Sequence, residues 1–161
     1  MATAQDWIER LGLIPHPEGG YYRETYRAEF QATPQGESSA TAACTSIYYL
    51  LRGEDFSAFH RIAYPEIWYH HDGESLDVHE IDAAGNYRVR RLGKGPGECL
   101  SLAVEPGTWF AAEVPGRKGY VLVSCAVAPG FRFEVFEMGK TAELAKKWPQ
   151  HGEILERFRH A

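Results

Sequence analysis

Two side chains in the middle of the sequence have the types and spacing that proton transfer needs. Glu66 follows His60 after six residues. Burial in an apolar site raises the pKa of a carboxylic acid, so that an imidazole and the acid can share a proton. Such a pair can take a proton from a carbon next to a carbonyl group, as isomerases and epimerases do. We predict His60 and Glu66 as catalytic residues, with His60 as the base and Glu66 as the acid or the orienting group.

The alternation of side chains along a strand indicates which residues surround this pair. If Glu66 points inward, Trp68 and His70 also point inward, because alternate side chains share one face. The result is a mostly aromatic pocket with a few polar groups, which is typical of sites for small ligands. The predicted ligand-binding residues are Trp68, His70, Tyr48, Phe110, Phe131, Phe133, Arg23 and Glu18.

Most of these candidates also have a structural interpretation. His60 would be a histidine hydrogen-bonded inside the barrel, and Glu66 would be a surface residue paired with an Arg. Either His70 or His71 must face solvent, and Trp68, Phe131 and Phe133 would belong to the core.

Three further residues also have alternative interpretations. Tyr48, or its neighbour Tyr49, would return a proton on the opposite face of a substrate. Arg23 would bind a carboxylate or phosphate group, or it would form a surface ion pair. Glu18 would reach the pocket mouth, although the glycines of segment 16–20 also suit a bend with a purely conformational role.

Short strand-like runs recur along the chain and are separated by turn residues, which include sixteen Gly and nine Pro. We count about nine or ten strands, and this spacing predicts an all-β sandwich or closed barrel with the pocket inside. Helices are predicted only at the ends: one between Thr3 and Gly12 with Thr3 and Asp6 as a capping box, a capped one from Thr141 to Trp148 and a last short one at 153–159. Residues 31–39 are predicted as a loop, and Phe131, Phe133 and Phe136 are predicted to close the β region. The barrel core is expected at about 20–138, within a single domain of residues 1–161.

Composition and charge exclude several kinds of partner. The net charge is −5 and there is no basic run, so we expect no nucleic acid. No apolar stretch approaches the ~20 residues of a membrane span, and the N-terminus lacks the pattern of a signal peptide. The scattered residues Cys44, Cys99 and Cys125 form no disulfide framework. These features predict a cytoplasmic protein that does not contact a membrane, and the aromatic pocket predicts a small-molecule ligand.

Five motifs together resemble one branch of the cupin superfamily over roughly residues 5–140. They are HPEGGYY at 16–22, IYYLL at 47–51, FHR at 59–61, EIW at 66–68 and APGFRF at 128–133. The spacing of His60, Glu66 and Gly73, followed by Pro106 and Gly107, is similar to the two cupin signature motifs. The resemblance implies a jelly-roll barrel with short terminal helices, like that of deoxysugar epimerases. It assigns no activity, and it implies a homodimer, for which strand 21–26 is a suitable pairing element.

Cupin barrels often hold a metal, and the resemblance indicates where its ligands would lie. Ile62 takes the place of the second His of the first motif, and Phe110 takes the place of the His of the second motif. Only His60 and Glu66 keep donor atoms, whereas a catalytic metal normally takes at least three protein ligands. We therefore expect no cofactor, with a divalent metal on His60 and Glu66 as the alternative.

The sequence leaves three functions open. The first is a metal-independent isomerase or epimerase that acts on a small sugar-like or carbonyl substrate. The second is a non-catalytic module that binds a small, partly apolar ligand in the same pocket. The third is a metal-dependent cupin enzyme such as a dioxygenase, with ligands from outside the usual positions.

Overall fold

Two antiparallel sheets face each other in a computed structural model of the protein, which describes residues 1–160. The strands in chain order are β1 Ile14–Pro15, β2 Tyr21–Arg27, β3 Gln31–Ala32, β4 Thr41–Ala42, β5 Thr45–Arg52, β6 Phe56–Ile62, β7 Glu66–Gly73, β8 Leu76–Ile81, β9 Tyr87–Leu92, β10 Ser101–Val104, β11 Trp109–Glu113, β12 Tyr120–Val127 and β13 Phe136–Met138. The α-helices are α1 Ala4–Leu11, α2 Thr141–Lys147 and α3 Gly152–Arg157. Short 3₁₀ helices span Pro115–Arg117, Phe133–Val135 and Pro149–His151.

The order of the strands confirms the predicted all-β jelly roll. One sheet has six strands in the order β1-β2-β5-β12-β7-β10, and the other has five in the order β13-β6-β11-β8-β9. The short strands β3 and β4 pair only with each other. The chain passes repeatedly from one sheet to the other, as from β5 to β6 and from β6 to β7. This topology brings His60 on β6 and Glu66 on β7 to facing walls of the same interior.

The interior follows from the alternation of side chains along each strand. On β7, Glu66, Trp68 and His70 are buried, whereas Ile67 and Tyr69 between them are exposed. The inward-facing apolar side chains of both sheets form one continuous core. Because the two sheets bury opposite sides of this core, a polar residue with inward parity must find its partners inside the barrel.

The terminal helices cover the outer faces of the sheets. Thr3 and Asp6 form the predicted capping box of α1, and Gly12 ends this helix in the left-handed conformation at φ 62°. The apolar face of α1 packs on Leu50 and Leu122 of the six-stranded sheet. Helices α2 and α3 pack on the outside of the five-stranded sheet. No helix within residues 1–160 is both long enough and apolar enough to span a membrane.

The structure differs from the sequence prediction in three local details. The polar segment predicted as a loop from residue 31 contains β3, which pairs with β4. Thr141 is the first residue of α2 and not its cap, and no side chain caps this helix. Phe133 begins a 3₁₀ turn and is not part of a strand, because the chain leaves the six-stranded sheet after β12 and enters the five-stranded sheet only at β13. This detached segment, residues 128–135, forms part of the pocket wall.

Candidate functional site

The space between the two sheets is incompletely filled where β5 begins and β12 ends. A cavity of about 760 Å³, counted to its open mouth, lies there. Its lining combines titratable groups with aromatic rings and two arginines. The lining residues are His16, Glu18, Tyr22, Glu24, Arg27, Thr45, Ile47, Tyr49, His60, Ile62, Glu66, Trp68, Cys125, Val127, Phe131, Arg132, Phe133 and Phe136.

The central polar contact of the cavity joins His60 to Glu18. His60 Nε2 lies 2.9 Å from Glu18 Oε2, and both side chains are buried. His60 Nδ1 lies 2.7 Å from the carbonyl oxygen of Ala58, which can only accept a hydrogen bond. Both ring nitrogens therefore face acceptors, so the ring carries two protons when Glu18 is ionised. The result is a buried imidazolium–carboxylate pair.

The pKa values of the pair shift in the directions that this arrangement requires. Burial alone would raise the pKa of Glu18, but the charge and hydrogen bond of His60 lower it below its usual value. Burial alone would lower the pKa of His60, but the Glu18 carboxylate raises it above its usual value. Mutual attraction outweighs desolvation in both groups, because the two charges are close and water is excluded.

Glu18 is fixed by backbone contacts of segment 16–20, which links β1 and β2. Its carbonyl oxygen accepts from the backbone N–H of Ala58 at 3.0 Å and from the His160 ring at 2.9 Å. The buried Tyr49 hydroxyl donates to the carbonyl oxygen of Gly19. Gly19 has φ 108°, and a Cβ there would collide with the carbonyl oxygen of Phe56. Only glycine allows the segment to pass this close to β6.

Glu66 is a second buried carboxyl group in the same cavity. Its residue is only 7% exposed, and burial raises the pKa of the carboxyl to about 7. The nearby His60 charge opposes this rise, and the Glu18 charge adds to it. A carboxyl with this pKa is present in both protonation states at neutral pH, which suits a general acid–base.

Aromatic rings and a thiol surround these polar groups. His60 packs against Phe110 and Phe136, with ring centroids 4.0 Å and 5.3 Å away. Burial raises the pKa of the Cys125 thiol and of the Tyr49 hydroxyl well above their usual values. Both groups therefore keep their protons at neutral pH.

Two arginines lie at the mouth, each held by a carboxylate. Arg27 binds Glu24 at 2.8 Å and also donates to the carbonyl oxygen of Phe131. Arg132 binds Glu37 at 2.6 Å. These contacts attach the detached segment 128–135 to the end of β2 and to the loop between β3 and β4. That segment places Phe131 and Phe133 on the cavity wall, with Phe133 56% exposed.

The structure brings many of the predicted residues together. His60, Glu66, Trp68, Phe131, Phe133 and Glu18 all line the cavity. Phe110 lies directly behind His60 and Trp68 and packs against both rings, but it does not reach the cavity surface. It supports the pocket from within the core and corrects the expectation that it contacts a ligand.

Two predicted pocket residues, Tyr48 and Arg23, lie on the outer face of the six-stranded sheet. Tyr48 packs beside α1 and against the His71 ring, because Tyr49 and not Tyr48 has inward parity on β5. Arg23 is exposed and donates to the carbonyl oxygen of Leu11 at 3.0 Å, at the end of α1. The expectation that they bind a ligand in this pocket is wrong.

His70 points inward as predicted but lies away from the cavity, further along β7. Its Nε2 lies 2.8 Å from the carbonyl oxygen of Glu74, and its backbone N–H donates to Leu100. The barrel is filled around it by core side chains. The expectation that His70 lines the pocket is therefore also wrong, because correct parity does not fix position along the barrel axis.

Several cavity residues were not among the predicted site residues, notably His16, Tyr22, Arg27 and Arg132. His16 and Tyr22 belong to the HPEGGYY motif, so this motif was the available signal for them. Arg132 lies in the APGFRF motif, in which the alternation of side chains along a strand predicts only Phe131 and Phe133 as pocket residues. Nothing local in the sequence distinguishes Arg27, which reaches the mouth only through the pairing of β2 with β5.

The donor set does not fit a metal at the positions where cupins usually hold one. Ile62 and Phe110 occupy two of the four customary positions and have no donor atoms. His60, at a third, directs Nε2 at Glu18 and Nδ1 at a carbonyl oxygen. Within residues 1–160, no three His, Cys, Asp or Glu side chains are grouped as metal ligands. The chemistry of this cavity therefore depends on its protein side chains.

Comparison with known proteins agrees with the motifs. The family model "Cupin superfamily (DUF985)" matches residues 5–139. A hypothetical protein from Leishmania major is 35% identical, with a TM-score of 0.92 over 99% of this chain and 100% of that one. A protein from Shewanella oneidensis is also 35% identical, with a TM-score of 0.91 over 99% of both chains.

More distant matches support the fold alone. Oxalate decarboxylase from Bacillus subtilis is 15% identical, with a TM-score of 0.57 over 90% of this chain and 36% of that one. A search of curated proteins gave no match. These matches therefore give no evidence about the chemistry of the site.

Replacing Glu18 by Gln is expected to lower the pKa of His60, because the buried imidazolium loses its carboxylate partner. The free energy of unfolding should fall by about 3 kcal/mol, as when one partner of a buried pair is removed. NMR titration of the His60 ring and urea denaturation measure the two effects. Glu24→Gln is the control, since Glu24 lines the same cavity but binds Arg27. An unchanged His60 titration in the Glu18 variant would contradict the ion pair.

Proposed function

This chain belongs to the cupin superfamily, in the family of DUF985 proteins, and from that premise we propose that its cavity binds a small hydroxy-carbonyl compound and isomerises it by proton transfer. The observation that carries the proposal is Glu66, a carboxyl only 7% exposed in a cavity, with its pKa raised to about 7. As a carboxylate it accepts a proton from the carbon next to the carbonyl. As an acid it returns that proton to the neighbouring carbon.

His60 has a different role in this proposal from the one expected from the sequence. Both of its ring nitrogens are occupied by the acceptors Ala58 and Glu18, so it has no lone pair with which to take a proton. It acts as a fixed positive charge beside Glu66 and the substrate. That charge stabilises the negative charge that develops on the substrate, and it needs no reorganisation during the reaction.

An isomerase is favoured over an epimerase because a single base is available. An epimerase needs a second group that returns the proton on the opposite face of the substrate. The Tyr49 hydroxyl would be that group, but it donates to Gly19 and its pKa is raised by burial. One carboxyl that moves a proton between adjacent carbons on one face is the simpler use of this site. The rings of Tyr22, Phe131 and Phe136 would pack against the carbon skeleton.

A non-catalytic binding module is the second candidate. The polar hydrogens of His60 and Tyr49 are both bonded to protein acceptors, which leaves few groups free for chemistry. The aromatic lining suits binding without turnover equally well. The same experiment separates the two functions.

The decisive test is hydrogen exchange on a bound compound. Thermal-shift screening against hydroxy-aldehydes, hydroxy-ketones and small sugars identifies binders, which are then incubated with the protein in D₂O. Proton NMR should show loss of the signal next to the carbonyl, with a rate that increases as the pH passes about 7, because the carboxylate is the base. Glu66→Gln should slow this exchange by about 100-fold or more and should preserve binding.

The control is Glu105→Gln, which removes an exposed carboxylate from a loop outside the cavity. It should exchange at the wild-type rate. Tight binding with no exchange by the wild-type protein would favour the binding module. Exchange that persists in Glu66→Gln would contradict the role of Glu66.

We also propose a homodimer formed along the free edge of β2. Strand β1 pairs only with Tyr21 and Tyr22, so the rest of that edge has no neighbouring strand within residues 1–160. Tyr26 is 57% exposed and Phe30 75% exposed beside it. An open strand edge with exposed aromatic rings is a surface that proteins usually cover.

Light scattering should give twice the chain mass of 18.1 kDa for the wild-type protein. Tyr26→Lys should shift the protein to monomer, because a charge would be buried at the interface. Tyr69→Lys is the control, since Tyr69 is similarly exposed at 41% but lies on β7. A wild-type protein that is monomeric at high concentration would contradict this interface.

We propose a reducing compartment, such as the cytoplasm, as the site of action. Cys44, Cys99 and Cys125 are all free thiols. Cys99 is exposed, and an exposed thiol remains reduced most readily in such a compartment.

A further inference from the structure

We propose that His16 is a second catalytic residue, whose neutral imidazole donates its Nε2–H to the carbonyl oxygen of the bound substrate. This inference takes its substrate class from the proposed function. The assignment of His16 as a hydrogen-bond donor follows from the contacts of His16 alone.

His16 is held rigidly on the cavity wall. It lies in the segment between β1 and β2, and its ring packs edge-on against Tyr22 and Tyr49, at centroid distances of 4.6 Å and 5.6 Å. Its side chain is only 8% exposed. His16 and Glu66 both line the cavity, so one small ligand can contact the two residues together.

A backbone hydrogen bond fixes which ring nitrogen of His16 carries the proton. The backbone N–H of Glu18 donates to His16 Nδ1 at 3.1 Å, so Nδ1 must present its lone pair. Glu18 Oε1 lies 3.7 Å from Nδ1, which is too far for a competing hydrogen bond. The single proton of the neutral ring is therefore on Nε2. Within residues 1–160, no hydrogen bond of the protein uses that atom, so it is available to a ligand.

The surroundings keep the His16 ring neutral. Burial lowers its pKa below the usual value, the Glu18 carboxylate opposes this effect, and the His60 imidazolium adds to it. A neutral imidazole is a weaker acid than an imidazolium, and it can donate a hydrogen bond without giving up its proton permanently. A histidine in this state polarises a carbonyl group and stabilises an enolate.

Glu66 and His16 together can carry out the isomerisation without a further reactant. The Glu66 carboxylate takes the proton from the carbon next to the carbonyl, and the electrons of that C–H bond form a carbon–carbon double bond. The carbonyl π electrons move to oxygen, where His16 Nε2–H stabilises the resulting enolate oxygen. For isomerisation, His16 Nε2 gives its proton to this oxygen and takes a proton from the adjacent hydroxyl group. Glu66 then returns its proton to the neighbouring carbon as the new carbonyl forms.

His60 cannot perform this task, although it is the more conspicuous histidine of the motif. Its two N–H groups are directed at Ala58 and Glu18. Glu18 therefore has opposite effects on the two histidines. Its side chain holds His60 doubly protonated, and its backbone N–H holds His16 in the Nε2–H tautomer.

The first test needs no ligand. Long-range ¹H–¹⁵N NMR spectra of the wild-type protein at neutral pH should show His16 with an unprotonated Nδ1 and a protonated Nε2. They should show His60 with both nitrogens protonated. A His16 ring that is doubly protonated, or that carries its proton on Nδ1, would overturn the proposal.

The second test measures the donor with an enolate mimic, 4-nitrophenolate, whose absorbance reports binding. It uses Glu66→Gln as the background, which removes the carboxylate charge that would repel the anion. Adding His16→Ala should weaken binding about tenfold or more, because a hydrogen bond to a charged oxygen is lost. Adding His16→Gln, which restores an N–H donor, should recover much of the affinity. His71→Gln, on the outer face of the sheet, is the matched control and should have no effect.

The outcomes separate this proposal from the function on which it rests. Equal binding by the His16→Ala and parent proteins, or no binding by the parent, would overturn the donor role. Deuterium exchange that needs Glu66 but is unchanged in His16→Ala would overturn it as well, while leaving the proposed function intact. Binding that depends on His16, together with no exchange on any hydroxy-carbonyl compound, would support the donor and locate the failure in the proposed reaction.

Discussion

The buried contact between Glu18 and His60 is the constraint on which the rest of the site depends. Two charges inside a barrel are tolerated only if every polar atom around them has a partner. The structure supplies several of these partners from distant parts of the chain. Ala58 accepts from the His60 ring and also donates its N–H to the carbonyl oxygen of Glu18. His160, 142 residues further along the chain, donates to the same carbonyl oxygen.

The pair also sets the electrostatics of its neighbours. Because Glu18 neutralises His60, the cavity tolerates a second carboxyl group only when that group is partly protonated, which is the state of Glu66 at neutral pH. The same loop controls the tautomer of His16 through the backbone of Glu18. The Glu18–His60 pair thus determines the protonation of two other groups in the cavity, the Glu66 acid and the neutral His16 imidazole.

The fold was predictable because it depends on local periodicity, whereas much of the site was not. Alternation along β7 correctly placed Glu66 and Trp68 inward. The same rule could not say that His70 lies too far along the barrel, since position along the axis depends on strand tilt and on which side chains fill the core. Tyr48 and Tyr49 differ only in parity, and a motif of two tyrosines does not reveal it. The partnership of Glu18 with His60 joins positions 42 residues apart and follows only from the path of segment 16–20 against β6.

Glu66 should titrate near neutrality beside a His60 ring that keeps both protons. The most direct measurement is an NMR titration of the wild-type protein that follows the carboxyl carbon of Glu66 and the ring nitrogens of His60. We expect a Glu66 midpoint at about 7. His60 should remain doubly protonated through that transition, because both of its ring nitrogens face acceptors. A Glu66 midpoint near its usual 4.5, or a His60 ring that loses a proton before Glu66 does, would contradict it.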